Sequence, residues 1–173
     1  MSAVTPSAAS PLAGLRVVDL TRNLPGPFAT RMLDAVHVAT TPGVDFDPFR
    51  GLAEQLEIDP AALEATVTAG RVPVVDALHA DGTLLVAGNG GSAAIASHVA
   101  AEFLGKCVHD RHPLPAISLA ESHSSLTAIG NDYGFDQVFL RGVQAFGRPG
   151  DVLLAMSTSG TSPNVVAALA EAR

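Results

Sequence analysis

Two short loops and one helical pair carry most of the side chains here that could do chemistry. The run Ser157-Thr158-Ser159-Gly160-Thr161-Ser162 offers five hydroxyls. Pro163 follows, which suits the first position of a helix. Many neutral donors, little bulk and a helix N-terminus together suit a phosphate. Helix capping alone needs one hydroxyl, not five. No Lys follows Gly160, so the run is not a Walker loop, and nucleotide hydrolysis is disfavoured. The second loop is Gly88-Asn89-Gly90-Gly91-Ser92. Its glycines permit a sharp turn and close approach of a ligand. Ser92 would then stand near a helix N-terminus, where free amides favour an anion. Taken alone, the same run is equally a plain turn from strand to helix. His98 and Glu102 have i,i+4 spacing and share one helix face. An imidazole and a carboxylate so placed can hold one zinc ion. The spacing is commoner in a surface hydrogen-bonded pair, and a zinc site needs at least one more ligand. His109, His112 and His123 are available, and nothing in their spacing selects one. In Asn131-Asp132-Tyr133-Gly134-Phe135, Asp132 suits a sugar hydroxyl, or else an Asx turn.

These groups need a frame, and the pattern supplies one from residue 82 onward. Short apolar runs at 83–87, 115–119 and 152–156 read as buried strands. Helices are expected over 93–105, 124–129, 137–146 and from 163 to the end. Strands alternating with helices imply a parallel sheet with helices on its faces. Both polar loops then fall at the carboxyl ends of strands, where such sheets bind ligands. Upstream, Asp47-Pro48 and Asp59-Pro60 read as helix starts, which places helices within 47–79. Leu15-Arg16-Val17-Val18-Asp19-Leu20 is strand-like, and residues 1–12 read as disordered.

Composition narrows the classes. A chain of 173 residues, 47% hydrophobic, can bury a sizeable core. With 10 basic and 17 acidic residues its net charge is −7, which gives no general pull on nucleic acid. No apolar run is long enough to cross a bilayer. The opening residues lack the order of a signal peptide, so a cytoplasmic protein is expected. Cys107 is the only cysteine, which excludes an internal disulfide and a cysteine-based metal cluster.

Taken together, the motifs resemble one family. They are Gly88-Asn89-Gly90-Gly91-Ser92, His98 with Glu102, Pro113 with Pro115-Ala116-Ile117, and Leu126-Thr127-Ala128-Ile129-Gly130-Asn131-Asp132-Tyr133-Gly134-Phe135. After them come Gly147-Arg148-Pro149-Gly150-Asp151-Val152-Leu153-Leu154 and Ser157-Thr158-Ser159-Gly160 with Ser162, Asn164 and Val165. In order and spacing they resemble the phosphoheptose isomerases of the sugar isomerase (SIS) domain family. The resemblance covers about the last half of the chain.

It implies an α/β fold, a SIS-type three-layer sandwich with a parallel sheet, preceded by N-terminal helices. The domain would span 47–173, after an atypical, partly disordered segment 1–46. The implied reaction interconverts sedoheptulose 7-phosphate and D-glycero-D-manno-heptose 7-phosphate, in nucleotide-activated heptose biosynthesis. Zinc and a homotetramer are implied as well. By resemblance Ser157, Thr158, Ser159 and Ser162 hold phosphate, with Ser92 assisting. Asn89, Gly90, Gly91, Asn131 and Asp132 belong to the substrate site. His98 and Glu102 match metal ligands, and Glu102 also matches a catalytic, substrate-binding acid/base residue. The family continues past the helix that here ends at Arg173. The expectation is therefore a C-terminally incomplete domain: three of five strands, with 152–156 as an exposed apolar edge. A sugar-phosphate-binding module without turnover is the alternative. Residues 11–33 separately resemble the start of class III CoA-transferases, without that family's catalytic Asp.

Overall fold

The computed structural model describes residues 16–20, 73–106 and 110–173. Four parallel strands form one sheet in the order β1-β4-β2-β3. They are β1 (Arg16–Leu20), β2 (Leu84–Gly88), β3 (Ala116–Ser118) and β4 (Val152–Met156). The helices are α1 (73–79), α2 (Gly91–Leu104), α3 (His123–Tyr133), α4 (Val138–Phe146) and α5 (Pro163–Glu171). A single 3-10 turn, Phe135–Gln137, joins α3 to α4.

The central strands explain the layering. Every residue of β2 and β4 is buried, as continuous apolar strands in a parallel sheet must be. Side chains alternate between the two faces. Leu84, Val86, Val152, Leu154 and Met156 pack with Val74, Ala77 and Leu78 of α1 and with Ala96, Val99, Ala100 and Phe103 of α2. Leu85, Ala87, Leu153 and Ala155 pack on the other side with Val138, Phe139 and Val143 of α4 and with Val165, Ala168 and Leu169 of α5. Helices on both faces of one sheet make three layers.

The core boundaries follow the sequence reading, with two corrections. Strand 152–156 is not an exposed edge. It lies between β2 and β1, with Arg16 opposite Val152 and Leu20 opposite Met156. The strand-like run near the start therefore joins the sheet. The second correction is the length of α3. It runs to Tyr133, well past the expected end at 129, and takes Asn131 and Asp132 into the helix. Asp132 is thus not in an Asx turn. Gly134, at φ 100°, ends the helix. Of the helices expected within 47–79, only 73–79 falls in the described residues, and it is helical. The rest of that stretch, the segment 1–15 and Cys107 with His109 lie outside them.

Candidate functional site

β2 and β4 are neighbours, and Gly88 stands opposite Met156. Both polar loops therefore leave the sheet side by side at its carboxyl end. This is where open parallel sheets bind ligands.

The first loop turns because its glycines let it. Gly90 has φ 54°, a left-handed conformation that costs glycine nothing. A Cβ on Gly88 would come within 2.6 Å of the Ser92 Cβ, so the strand end and the helix start pack against each other directly. No side chain caps α2. Ser92 itself is buried at the first turn.

The second loop gathers hydroxyls. Ser157 Oγ lies 3.1 Å from Ser162 Oγ and 3.4 Å from Ser159 Oγ, and Ser159 Oγ lies 3.5 Å from Ser162 Oγ. The backbone folds around them. Gly160 N–H donates to Ser157 Oγ at 3.2 Å, and Thr161 N–H donates to Ser159 Oγ at 3.2 Å. Ser162 occupies the N-cap of α5, yet its hydroxyl makes no cap hydrogen bond. The capping explanation of this serine is therefore set aside by the geometry. Three hydroxyls converge at a helix N-terminus, an arrangement able to donate to an anion from several sides. Thr158 stands exposed at the loop's rim.

One side-chain link joins the two loops. Asn89 Nδ2 donates to Asn164 Oδ1 at 2.8 Å, and Asn164 Nδ2 donates back to Asn89 Oδ1 at 2.7 Å. Asn164 sits in the first turn of α5 and is 2% exposed. The structure thus brings together Asn89, Gly90, Gly91, Ser92, Ser157, Thr158, Ser159 and Ser162 at one end of the sheet.

His98 and Glu102 lie elsewhere. Helix α2 runs back along the sheet, and Glu102 falls ten residues after Ser92, about 15 Å further along the axis. Arg111 Nη2 donates to the Glu102 carbonyl at 2.8 Å, and Leu114 N–H donates to the Phe103 carbonyl at 2.9 Å, just before β3 begins. This is the amino end of the strands. One chain therefore does not place Glu102 at its own serine loop. His98 Nε2 stands 3.8 Å from Glu102 Oε1. Two ligands of one tetrahedral zinc, at about 2.0–2.2 Å each, stand roughly 3.4 Å apart, so the pair fits two corners of such a site. Among the described residues no third His, Cys, Asp or Glu joins them.

Asp132 lines a third place. A groove of about 670 Å³ runs between the end of β3, α3 and α4, with Ser118, Glu121, Ser125, Leu126, Asp132 and Arg141 among its walls. Neither polar loop contributes to it. Asn131 Nδ2 donates to Asp132 Oδ1 at 2.7 Å. Arg141 stacks on the Tyr133 ring at 4.0 Å. Sequence reasoning gave no role to Asn164 or Arg141. Asn164 carried a detectable signal, since a polar residue at a core position of an otherwise apolar helix needs a partner.

Comparison with known proteins agrees with this fold. A family model described as a SIS domain matches residues 53–173. A phosphoheptose isomerase from Nitratidesulfovibrio vulgaris is 60% identical over 90 residues, covering 52% of this chain and 43% of the relative. One from Rhodospirillum rubrum is 55% identical over 100 residues, covering 58% of this chain and 53% of the relative. The solved phosphoheptose isomerase GmhA from Neisseria gonorrhoeae superposes with a TM-score of 0.52 at 43% identity, covering 70% of this chain and 66% of that one. The chain spans about half the length of the curated relatives it matches. With the family match covering well over half of its residues and the fold in agreement, the chain belongs to the SIS domain family.

Proposed function

We propose that this chain acts as a sedoheptulose 7-phosphate isomerase, forming D-glycero-D-manno-heptose 7-phosphate for nucleotide-activated heptose synthesis in the cytoplasm. The observation that carries this reading is the convergence of the Ser157, Ser159 and Ser162 hydroxyls at the α5 N-terminus, beside the Gly90-Gly91-Ser92 turn. An anionic ligand there gains hydroxyl and amide donors without a cationic side chain. The similarity to phosphoheptose isomerases supports the choice of sugar phosphate.

The residues divide the work. Ser157, Thr158, Ser159 and Ser162 hold the phosphate, and Ser92 assists from the start of α2. Anchoring that end fixes the open-chain sugar, and this positioning lowers the barrier. Asn89, Asn131 and Asp132 meet sugar hydroxyls. Moving the carbonyl between C1 and C2 requires removal of a carbon-bound proton and its return to the neighbouring carbon through an enediol. The Glu102 carboxylate takes that proton as base and returns it as acid. His98 and Glu102 would hold a zinc ion. When bound, it supplies Lewis-acid stabilisation of developing negative charge.

The separation of Glu102 from the serine loop argues that the working site draws on more than one copy, in a homo-oligomer, by resemblance a tetramer. A second reading has its own support. Because no third described ligand joins His98 and Glu102, the chain would alternatively bind a sugar phosphate without converting it.

An isomerase assay separates the two. The purified chain is given sedoheptulose 7-phosphate with zinc, with chelator, and as the Glu102→Gln variant. Turnover that needs zinc and falls at least a hundredfold in the variant is expected. Binding without turnover would establish the second reading, and absence of both would reject each of them.

A further inference from the structure

Asn164 is an expensive residue where it stands. It occupies the first turn of α5 among Val165, Ala168 and Leu169, and is 2% exposed. An aliphatic side chain would fill such a position without desolvating an amide. What the amide does instead is specific. Its Oδ1 accepts from the Val165 N–H at 3.0 Å and from Asn89 Nδ2 at 2.8 Å. Its Nδ2 donates to Asn89 Oδ1 at 2.7 Å. The Val165 contact fixes which end of the Asn164 amide is oxygen. The reciprocal pair then fixes the Asn89 amide in turn.

We propose that Asn164 is a positioning residue of the sugar-phosphate site, one that orients the Asn89 amide and locks the glycine-rich turn to the serine loop before a ligand arrives. The proposal rests on the functional reading above. An Asn side chain has two donor hydrogens and two acceptor lone pairs. Asn89 commits one of each to Asn164 and is only half-buried. It therefore keeps one donor and one acceptor for the ligand. The oxygens of a phosphate monoester, largely the dianion at neutral pH, act chiefly as acceptors. A sugar hydroxyl both donates and accepts, so it can meet either the donor or the acceptor that Asn164 leaves free on Asn89. The serine loop takes the anion and the oriented Asn89 takes the adjoining carbinol. The site thus favours a polyol phosphate over inorganic phosphate.

Two measurements test this, and the first needs no ligand. Asn89→Ala, Asn164→Ala and the double variant are compared by denaturant unfolding. If the pair is a unit, the effects are non-additive, with the coupling near tenfold in the folding equilibrium constant. Additive effects would overturn the proposal. The second is titration of the wild type, Asn164→Ala and Asn164→Asp with sedoheptulose 7-phosphate and with inorganic phosphate. Asn164→Asp keeps the shape and still accepts, but it cannot donate to Asn89 Oδ1. We expect both variants to lose roughly tenfold in affinity for the sugar phosphate and to bind inorganic phosphate within about twofold of the wild type. A merely structural role would reduce the binding-competent fraction without changing the preference between the two ligands, and that result would count against the proposal. If the wild type binds inorganic phosphate but not the sugar phosphate, the proposal and the isomerase reading both fail. If it binds neither ligand, the isomerase reading fails and the unfolding cycle alone decides whether Asn164 holds Asn89.

Discussion

Asp151 is 5% exposed and spends each carboxylate oxygen on a backbone amide. Oδ1 accepts from Thr83 N–H at 2.7 Å and Oδ2 from Arg148 N–H at 2.9 Å. It thereby ties the entry of β4 to the entry of β2. Asp151→Ala would leave both amides without this acceptor, at a cost of about 2 kcal/mol, read as a lowered denaturant midpoint with activity per folded molecule retained. The serines show how far residue type alone could be trusted. Five hydroxyls in six positions already exceeded what capping requires, and the structure sends the Ser162 hydroxyl to Ser157 rather than to the helix. Asn164 was harder to read, because its role depends on a partner 75 positions away, a distance over which no local pattern runs.

Among the elements, the strands were the most legible. Val152-Leu153-Leu154-Ala155-Met156 is a bounded apolar run with no polar member, and it is a strand over those same residues. Helix α3 was read short because none of its residues is buried. Its sequence has no strong apolar stripe, and Asn131 and Asp132 carry turn character. Ser122 caps its start, accepting from Ser125 N–H at 3.2 Å, a local signal for the first turn only. The partner of β4 was not legible at all. Arg16–Leu20 looked strand-like, but parallel pairing with residues 152–156 is set by tertiary contact across most of the chain. An apolar strand left without a neighbour pairs with other molecules. Deleting residues 1–20 should therefore lower the thermal midpoint by several degrees, speed exchange of the Leu153, Leu154 and Ala155 amides, and raise light scattering on warming. A truncated chain as stable and as protected as the intact one would show that β1 contributes nothing to the sheet.

At the scale of the molecule, the groups that sequence motifs placed in one site divide into three places. The two loops meet at the carboxyl end of the sheet. His98 and Glu102 lie along the back of α2, and Asp132 lines the groove between α3 and α4. Motif order fixes which residues are present, whereas their meeting is a matter of topology. The claim on which the functional account depends is that the serine loop binds the phosphate. Calorimetric titration of sedoheptulose 7-phosphate into the wild type and into a Ser157→Ala, Ser159→Ala, Ser162→Ala variant tests it most directly. The account predicts saturable binding by the wild type and a loss of at least a hundredfold in the variant, with its unfolding midpoint confirming a folded chain. Equal affinity in the two proteins would contradict it.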